Sequence, residues 1–261
     1  MSDRYALIGN PVAHSQSPRI HAEFARATSQ HLEYGLIEAP LDGFAAAVER
    51  FRAGGGKGLN VTLPFKHEAF ALCSTVSERA RVAQAVNTLV LETGFGDNTD
   101  GIGLVRDLAQ NLNCAFSSVL LLGGGGAAQG VVGALLDAGA ARVVIANRTV
   151  SKAQALAARF PGASASGYEE LAAEFDLVIN ATSAGLAGEL PPLPAGILRR
   201  GVLAYDMVYG RETPFLAAAR RGGARTCDGL GMLVEQAAES FFIWRGVRPQ
   251  TRPLLERLRG A

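Results

Sequence analysis

Cysteine is scarce in this chain, and its few cysteines are widely separated. Only Cys73, Cys114 and Cys227 occur among the 261 residues, and no two of them form a C-x-x-C motif. Disulfide frameworks and structural zinc sites need paired or closely spaced cysteines, so this spacing argues against both and favours a reducing compartment. We therefore expect a cytoplasmic protein with no metal site.

The sequence also lacks a charge excess and long apolar runs. The formal net charge is +1 and 19% of the residues are charged, so there is no basic excess to attract nucleic acid. No apolar run reaches the roughly 18 residues of a membrane-spanning helix, and the N-terminus lacks the cationic and apolar regions of a signal peptide. A small molecule is the expected partner, with neither nucleic acid nor membrane.

Glycine, in contrast, is abundant, and a run of four glycines marks the most informative segment. Residues 118–148 predict strand, tight turn, helix and strand, because two short apolar runs flank the glycines and an Ala/Val/Leu-rich stretch. Gly123, Gly125 and Ala128 match G-x-G-x-x-G/A, in which glycines let the backbone approach a pyrophosphate. Four glycines could equally form a flexible turn, but the flanking periodicity favours a dinucleotide site. The turn residues expected to bind the cofactor are Gly123, Gly124, Gly125, Gly126 and Ala127.

The end of the second strand indicates which dinucleotide binds. NAD sites usually place an acid about 20 residues beyond the glycine turn, where it bonds the ribose 2'-hydroxyl. Here the strand is followed by Asn147, Arg148 and Thr149, with Lys152 close behind, and no acid is present. A guanidinium binds a 2'-phosphate through charge-assisted bonds, so the sequence predicts NADP as the cofactor. The alternative is that Arg148 and Lys152 are ordinary solvated charges at the start of the next helix.

Strand and helix patterns alternate on both sides of this segment, which predicts an α/β fold. A dinucleotide unit accounts only for the middle of the chain, so we expect two domains, the second a Rossmann domain with a doubly wound parallel sheet. Before it, strands are expected at 5–8, 32–38, 57–63 and 86–91, a hairpin connection at 93–96, helices beginning at Ser17, Leu41 and Pro64, and a further helix after Asp100. After it, helices are expected at 151–159, after Pro214, at 230–244 and at 252–259, strands at 177–179, 202–206 and 225–227, and a Pro/Gly-rich connection from Gly185 to Gly196.

Polar clusters in the first hundred residues lie at or beside predicted strand ends. Ligands of open α/β sheets bind beyond the carboxyl ends of the strands, so these side chains can converge in one crevice. Taken singly, each cluster has an ordinary explanation: Ser17 would be a helix N-cap, Asp100 would cap the next helix, and Lys66 would be a solvated lysine. The clusters are residues 10–18, 60–66, 85–89 and 96–101.

Together the clusters form a pattern that covers nearly the whole chain. The sequence contains, in order, GNPVAHSQSP, GLNVTLPFK, AVNTLV, GDNTDG, GGGGAA, NRT, YDMVY and DGLGMLVEQA. This succession resembles the shikimate dehydrogenases, and the combination of S-x-S-P, N-V-T-x-P-x-K and N-T-D-G is specific to that family and its close relatives. The resemblance implies NADPH-dependent reversible reduction of 3-dehydroshikimate to shikimate, a step of aromatic amino-acid (chorismate) biosynthesis. It also implies a substrate-binding domain of residues 1–101 plus 237–261 and an NADP-binding Rossmann domain of residues 102–236.

The resemblance also implies roles for individual residues. Ser15 and Ser17 would hold the substrate carboxylate, and the physics agrees, because two hydroxyls at a helix start bind an anion without a counter-cation. Lys66 would transfer the proton, with Asp100 beside it. The ring hydroxyls would be bonded by Thr62, Asn87, Asp100 and Gln236, with Tyr209 bordering the substrate. The nicotinamide side of the cofactor site would be formed by Glu78, Met207 and Gly231.

One position departs from the family pattern, and two other functions stay open. Family members often have a basic residue where Gln129 stands. The resemblance therefore implies weaker phosphate binding here, at the same position in the glycine turn. One alternative is a quinate/shikimate dehydrogenase that uses NAD, although an acid near Asn147 would suit that better. The other is a non-catalytic NADP sensor, which the presence of both Lys66 and Asp100 argues against. The sequence is compatible with either a monomer or a homodimer.

Overall fold

A computed structural model describes residues 2–172, 174–182, 184 and 188–260. Gly185, where the predicted Pro/Gly-rich connection begins, lies outside these residues. The chain divides into two compact units, the first formed by Met1–Gly103 with Val234–Ala261 and the second by Leu104–Leu233.

Strands and helices alternate through most of both units, as expected for an α/β protein. The strands are β1 (Asp3–Gly9), β2 (Leu32–Glu38), β3 (Gly56–Val61), β4 (Thr75–Val76), β5 (Thr88–Val90), β6 (Phe95–Asp97), β7 (Ser118–Leu122), β8 (Arg142–Ala146), β9 (Ala163–Ser166), β10 (Leu177–Asn180), β11 (Leu203–Asp206) and β12 (Arg225–Asp228). The helices are α1 (Ser17–Ala27), α2 (Phe44–Ala53), α3 (Lys66–Leu72), α4 (Glu78–Ala83), α5 (Asp100–Arg106, continued by a π-turn at Asp107–Asn111), α6 (Gly126–Gln129), α7 (Val132–Asp137), α8 (Val150–Ala157), α9 (Pro214–Arg221), α10 (Leu230–Arg245) and α11 (Arg252–Arg259).

The first unit contains a mixed six-stranded sheet in the order β2-β1-β3-β5-β6-β4. Strand β1 pairs in parallel with β2 and β3, whereas β5 runs antiparallel to β3 and β6. The antiparallel β5–β6 pair confirms the hairpin predicted from the glycine-rich connection. Apolar side chains of the strands pack with those of α2 and α3 into one buried cluster, in which Phe44 and Phe65 stack with ring centroids 4.9 Å apart. This packing holds the strand ends from which the polar clusters project.

The second unit contains a six-stranded sheet whose strand pairs are all parallel among the described residues. Its order is β12-β11-β10-β7-β8-β9, which is the 3-2-1-4-5-6 order of the doubly wound dinucleotide fold. The predicted parallel Rossmann sheet is therefore confirmed. The strand order reverses beside β7, and the glycine run follows β7 directly, so the turn lies at the position where this fold binds its ligands.

Several sequence-based boundaries are wrong, for local reasons. The helix expected from Leu41 begins only at Phe44, and the single helix expected after the glycine turn is divided into α6 and α7. Strand β9, with the sequence ASAS, was not predicted because it has neither an apolar run nor β-branched residues, and its pairing with β8 provides the missing stabilisation.

Ser17 is not the N-cap of α1, contrary to expectation. Gln16 holds the cap position without a side-chain cap bond, and Ser17 is the first helical residue. The Ser15 hydroxyl oxygen instead accepts the free Ser17 N–H at 3.2 Å, while the Ser15 hydroxyl donates to the Ser17 oxygen at 3.1 Å. The Ser15 side chain thus satisfies a donor at the helix start, which leaves no cap role for the Ser17 side chain.

The side chain of His21 on α1 is wholly buried in the first unit. Its ring stacks on Tyr34 with centroids 4.2 Å apart, and neither ring nitrogen makes a hydrogen bond of ordinary geometry. Burial lowers the pKa of His21 from 6.5 to about 3, and the nearby Asn60 side chain opposes that shift. The histidine therefore contributes to the fold as a neutral aromatic ring.

Acid is expected to destabilise the protein through His21. Because the unfolded chain protonates first, the free energy of unfolding has its full value above pH 6.5 and falls as the pH drops from there toward 3. Between pH 7 and pH 5 this single group should remove about 2 kcal/mol. Urea unfolding at both pH values should show that His21→Phe loses this part of the pH dependence, whereas His31→Gln, at an exposed position, retains it. An unchanged pH dependence in His21→Phe would contradict the prediction.

Candidate active site

The polar clusters of the first unit begin where β1 and β3 end. The Thr62 N–H donates to the carbonyl of Ile8 at 2.9 Å, and the Asn10 N–H donates to the carbonyl of Leu63 at 2.9 Å. These reciprocal bonds hold the segments after both strands side by side. A Cβ on Gly9 would lie 2.3 Å from Thr62 Cγ2, so the close approach requires glycine at this position.

Lys66 and Asp100 form a hydrogen-bonded ion pair. Each is the first residue of its helix, Lys66 of α3 and Asp100 of α5. Lys66 Nζ donates to Asp100 Oδ2 at 2.5 Å, and the two side chains are only 13% and 8% exposed. The pair therefore places a proton donor beside an acceptor in a position that is largely shielded from water, which is a suitable arrangement for acid-base chemistry.

Asn87 holds the other oxygen of Asp100. Its Nδ2 donates to Asp100 Oδ1 at 2.8 Å and to Thr99 Oγ1 at 2.9 Å, and it lies 3.4 Å from Gln236 Oε1. The Thr99 N–H returns a bond to Asn87 Oδ1 at 2.9 Å. Both carboxylate oxygens of Asp100 are thus oriented, one by a cation and one by an amide. Four residues expected at the site, Lys66, Asn87, Asp100 and Gln236, are brought together.

Asn60 links this group to the region of the two serines. The Tyr34 hydroxyl donates to Asn60 Oδ1 at 2.7 Å, and Asn60 Nδ2 donates to the Asn87 carbonyl at 3.2 Å and to Ser240 Oγ at 2.9 Å. Burial raises the pKa of Tyr34 well above 10, and a hydrogen bond from Ser17 opposes this rise. A path of hydrogen bonds therefore runs from Tyr34 through Asn60 to Asn87.

The sequence reasoning did not assign roles to Asn60, Thr99 and Ser240. Asn60 and Thr99 lie inside the polar clusters already noted, so the clusters themselves contained the signal. Ser240 lies four residues after Gln236 on α10, a spacing that places two polar side chains on one helix face. The hydroxyl of Ser240 also donates to the Gln236 carbonyl at 3.1 Å.

The other residues expected near substrate or nicotinamide have separate surroundings. Thr62 follows β3 with its methyl group against Gly9, and Glu78 is exposed on α4, where it pairs with Arg81. Within the described ranges, neither a hydrogen bond nor an ion pair joins Glu78 to Lys66 or Asp100. In the second unit, Met207 and Tyr209 follow β11 and are partly buried. Gly231 lies on α10, and a Cβ there would come within 1.9 Å of Asp107 Oδ1, so only glycine fits.

The glycine turn of the second unit leaves open space beside its last two glycines. Gly123 has φ +112°, a left-handed conformation that favours glycine, and a Cβ on it would lie 3.0 Å from the Ala181 carbonyl oxygen. A Cβ on Gly124 would lie 3.3 Å from Lys152 Cβ, whereas Cβ atoms on Gly125 and Gly126 would meet nothing within 4 Å. The backbone is therefore open at the last two glycines. The remaining turn residue, Ala127, lies within the short helix α6.

The residues after β8 lie beside this turn. Leu122 of β7 pairs with Ala146 of β8, and the Gly123 N–H donates to the Ala146 carbonyl at 2.8 Å. The glycine turn and the Asn147–Arg148–Thr149 segment therefore leave the same edge of the sheet. Arg148 is exposed, and within the described part of the chain it has no ion pair. An exposed guanidinium at the same sheet edge as an open glycine turn fits a phosphorylated dinucleotide.

The same described residues contain neither a metal cluster nor a membrane-spanning helix. No group of three or more His, Cys, Asp or Glu side chains is arranged to hold a metal ion there. None of the described helices combines the length and apolarity needed to cross a membrane. All three cysteines are free thiols.

Three family models match the chain in succession. Residues 7–89 match the family described as Shikimate dehydrogenase substrate binding domain. Residues 104–187 match Shikimate / quinate 5-dehydrogenase, and residues 229–259 match Shikimate 5'-dehydrogenase C-terminal domain. Together the matched ranges take in well over half of the sequence.

Known proteins are similar over the same extent. The shikimate dehydrogenase (NADP(+)) of Methylobacillus flagellatus is 58% identical over 269 residues, covering 99% of this chain and 100% of that protein. The crystal structure of an Ael1 enzyme from Pseudomonas putida is 52% identical, with a TM-score of 0.92 and 98% of each chain covered. The shikimate 5-dehydrogenase of Thermus thermophilus, crystallised with NADP(H) and shikimate, is 36% identical, with a TM-score of 0.89 and 99% of each chain covered.

Proposed function

The chain belongs to the shikimate dehydrogenase family and is an NADP-dependent oxidoreductase acting on shikimate, and from this premise we propose a role for each residue of the site. The reaction is the reversible reduction of 3-dehydroshikimate to shikimate with NADPH. One observation carries the assignment of roles: the Lys66 ammonium bonds Asp100 Oδ2 while Asn87 holds Asp100 Oδ1.

Ser15 and Ser17 bind the substrate carboxylate in this proposal. Their hydroxyl oxygens are 3.1 Å apart at the start of α1, where the helix dipole favours an anion. Both hydroxyls can turn their protons toward a carboxylate, because their present bond to each other is a neutral one. Thr62, Asn87 and Gln236 bond the ring hydroxyls, and Tyr209 borders the ring.

Lys66 transfers the proton to and from the C3 oxygen of the substrate, and Asp100 holds Lys66 in place. During reduction the carbonyl oxygen gains negative charge, and Lys66 Nζ donates a proton to it. During oxidation the same nitrogen takes the proton back. Asp100 keeps Lys66 Nζ in place through Oδ2 and accepts a substrate hydroxyl, while Asn87 prevents the carboxylate from rotating.

The second unit holds the cofactor in this proposal. The backbone of Gly123, Gly124, Gly125, Gly126 and Ala127 contacts the pyrophosphate, and the 2'-phosphate is bound by Asn147, Arg148, Thr149 and Lys152. NADPH supplies the hydride when it is bound. Glu78, Met207 and Gly231 complete the nicotinamide side. The openness at Gly125 and Gly126 and the exposure of Arg148 support this placement.

The domain assignment is proposed on the same grounds. Residues 1–101 with 237–261 form the substrate-binding domain, and residues 102–236 form the NADP-binding domain, although the compact units divide after Gly103 and before Val234, which leaves Gln236 with the first unit. The substrate residues Ser15, Lys66 and Asp100 support the first assignment, and the glycine turn after β7 supports the second. We also place the enzyme in the cytoplasm, since few and widely spaced cysteines suit a reducing compartment.

Steady-state kinetics with four substrate pairs test the proposed function. Initial rates are measured for shikimate and quinate, each with NADP and with NAD. We expect the highest kcat/KM for shikimate with NADP. A preference for quinate with NAD would instead support a quinate/shikimate dehydrogenase, and binding of NADP without turnover of either acid would support a sensor.

Cofactor choice is expected to depend on Arg148. A charge-assisted bond to a phosphate is usually worth about 1.5 to 3 kcal/mol, so Arg148→Ala should raise the KM for NADP roughly tenfold or more. The KM for NAD should stay nearly level, because NAD lacks the 2'-phosphate. Arg221→Ala, at an exposed position at the end of α9, is the matched control and should leave both values unchanged. Equal losses for the two cofactors would remove Arg148 from 2'-phosphate binding.

A further inference from the structure

Arg79 on α4 cross-links two distant parts of the first unit. Its Nε donates to Asp97 Oδ1 at 2.7 Å and its Nη2 donates to Asp97 Oδ2 at 2.7 Å, so the guanidinium and carboxylate form a bidentate pair. The same Nη2 also donates to Glu239 Oε1 at 3.0 Å. Asp97 and Glu239 are 142 residues apart in the sequence (239 − 97), and one side chain joins them.

Asp97 is the first residue of the turn that leads to Asp100. It ends β6, and its Oδ1 accepts the N–H of Asn98 at 2.7 Å and the Ser77 hydroxyl at 2.5 Å. The Asn98 side chain then accepts the Asp100 N–H at 3.1 Å. The orientation of Asp97 therefore determines where the turn begins, and the position of Asp100 depends on it through two successive bonds.

Glu239 lies on α10, one helical turn after Gln236. Its Oε1 accepts from Arg79, and its Oε2 accepts from Arg248 at 2.6 Å. Its neighbour Ser240 bonds the amide of Asn60 at 2.9 Å. Arg79 therefore fixes the part of α10 that bears Gln236 relative to the turn that bears Asp100.

The charges in this cluster are balanced. Asp97 is 4% exposed and Glu239 is 6% exposed, so each carboxylate needs a partner to offset its lost hydration. Arg79 and Arg248 provide two cations for the two anions. Burial alone would lower the pKa of the Arg79 guanidinium, but its bonds to the Asp97 and Glu239 carboxylates raise that pKa above its usual value. The arginine therefore stays charged throughout the pH range in which an enzyme works.

We propose that Arg79 is a positioning residue for the reaction, setting Asp100 and Gln236 at their working separation without touching the substrate. This inference rests on the proposed function of Lys66, Asp100 and Gln236. This role needs the planar guanidinium of arginine, because its two parallel bonds to the Asp97 carboxylate fix the angle between the two groups as well as their distance. Lysine would keep the charge and lose the fork. Displacements of about 1 Å at supporting residues can cost 10²-fold in rate, so the effect is measurable.

Arg79→Lys and Arg81→Lys form a matched pair of variants. Both residues lie on α4, but Arg81 is exposed and pairs with Glu78 at the surface. At a temperature well below the melting transition of each variant, Arg79→Lys should lower kcat/KM for shikimate about 10- to 100-fold. The KM for NADP should change less than about twofold. Arg81→Lys keeps a cation beside Glu78, so this variant should behave as the wild type in every measurement.

Hydrogen exchange gives a readout that does not depend on turnover. The backbone amide of Asn98 donates to Asp97 and that of Thr99 donates to Asn87, both within the turn that Arg79 holds in place, so they should exchange faster in Arg79→Lys than in Arg81→Lys. If the wild-type enzyme showed no turnover of shikimate, the proposed function would be wrong. If the two amides exchanged at the same rate in Arg79→Lys and Arg81→Lys, the positioning role would be wrong. A lower melting temperature with unchanged kcat/KM and unchanged exchange would make Arg79 merely structural.

Glu239→Gln keeps the test decisive if Arg79→Lys does not fold. The Arg79–Asp97 fork stays complete in this variant, and only the attachment to α10 is weakened. Because Gln236 lies one turn away, the KM for shikimate should rise roughly fivefold or more, with a smaller change in kcat. An unchanged KM for shikimate would contradict the link between Glu239 and Gln236.

Discussion

Lys66→Ala is expected to lower kcat by about 10² to 10⁴, the usual weight of general acid-base catalysis. The KM for shikimate should change much less, because Lys66 acts mainly on charge that develops at the C3 oxygen during the reaction. The structure supports a direct role, since Lys66 Nζ lies 2.5 Å from Asp100 Oδ2 and its side chain is only 13% exposed. Initial rates with saturating NADP and a range of shikimate concentrations measure both constants.

Lys57→Ala is the control for this experiment. Lys57 is exposed on β3, within the same unit, so its loss changes the net charge equally without touching the proposed site. It should retain kcat within about twofold, because surface substitutions have small effects. A Lys66→Ala enzyme that kept most of its kcat would remove Lys66 from the mechanism and leave Asp100 as the remaining candidate for the proton.

Asp100→Ala is expected to damage kcat and the KM for shikimate together, with a combined loss in kcat/KM of about 10³ or more. The carboxylate has two tasks: Oδ2 holds the Lys66 ammonium, and the group accepts a substrate hydroxyl. Removal also leaves the Asn87 amide without its bond of 2.8 Å to Oδ1. Asp100→Ala therefore disturbs both the proton-transfer group and the substrate-binding residues, so kcat and KM should both change. In Lys66→Ala, by contrast, most of the decrease in kcat/KM should come from kcat.

Asp100→Asn separates the two tasks of Asp100. The amide keeps the size and one oxygen, so part of the substrate contact survives, but the charge that holds Lys66 is gone. We expect the KM to recover toward the wild-type value while kcat stays low. Asp42→Ala, at an exposed position before α2, should leave both constants unchanged. If Asp100→Ala and Lys66→Ala had the same kcat and the same KM, a separate binding role for Asp100 would be wrong.

Local patterns in the sequence were sufficient to predict most of the fold. The alternation of apolar runs with glycine, proline and serine predicted β2 at its observed bounds and placed the glycine turn after β7, because strand periodicity and turn chemistry act between near neighbours. Where several backbone arrangements are locally similar in energy, the same reasoning failed. The divided helix α6 and α7 and the ASAS strand β9 are examples, since packing and strand pairing decide between such alternatives.

The candidate site could be anticipated only as a set of residues. The resemblance to a family indicated Lys66, Asn87, Asp100 and Gln236, but no local signal indicated that Asn87 would bond both Asp100 and Gln236. The partner of an amide or carboxylate depends on which chain segments meet. Those segments are brought together by the burial of apolar surface far from the polar groups themselves.

By itself, the sequence determined most of the elements, the dinucleotide turn, the lack of an acid near Arg148 and the family, since each of these is read from short contiguous segments. The tertiary structure alone decided the hydrogen-bond connections: Asn60 with Ser240 across 180 residues, Arg79 with Glu239 across 160, and Ser15 rather than Ser17 as the acceptor at the start of α1. The physical reason is that a polar group shielded from water must bond whatever partner the folded chain places within about 3 Å, and only the packed chain sets that distance.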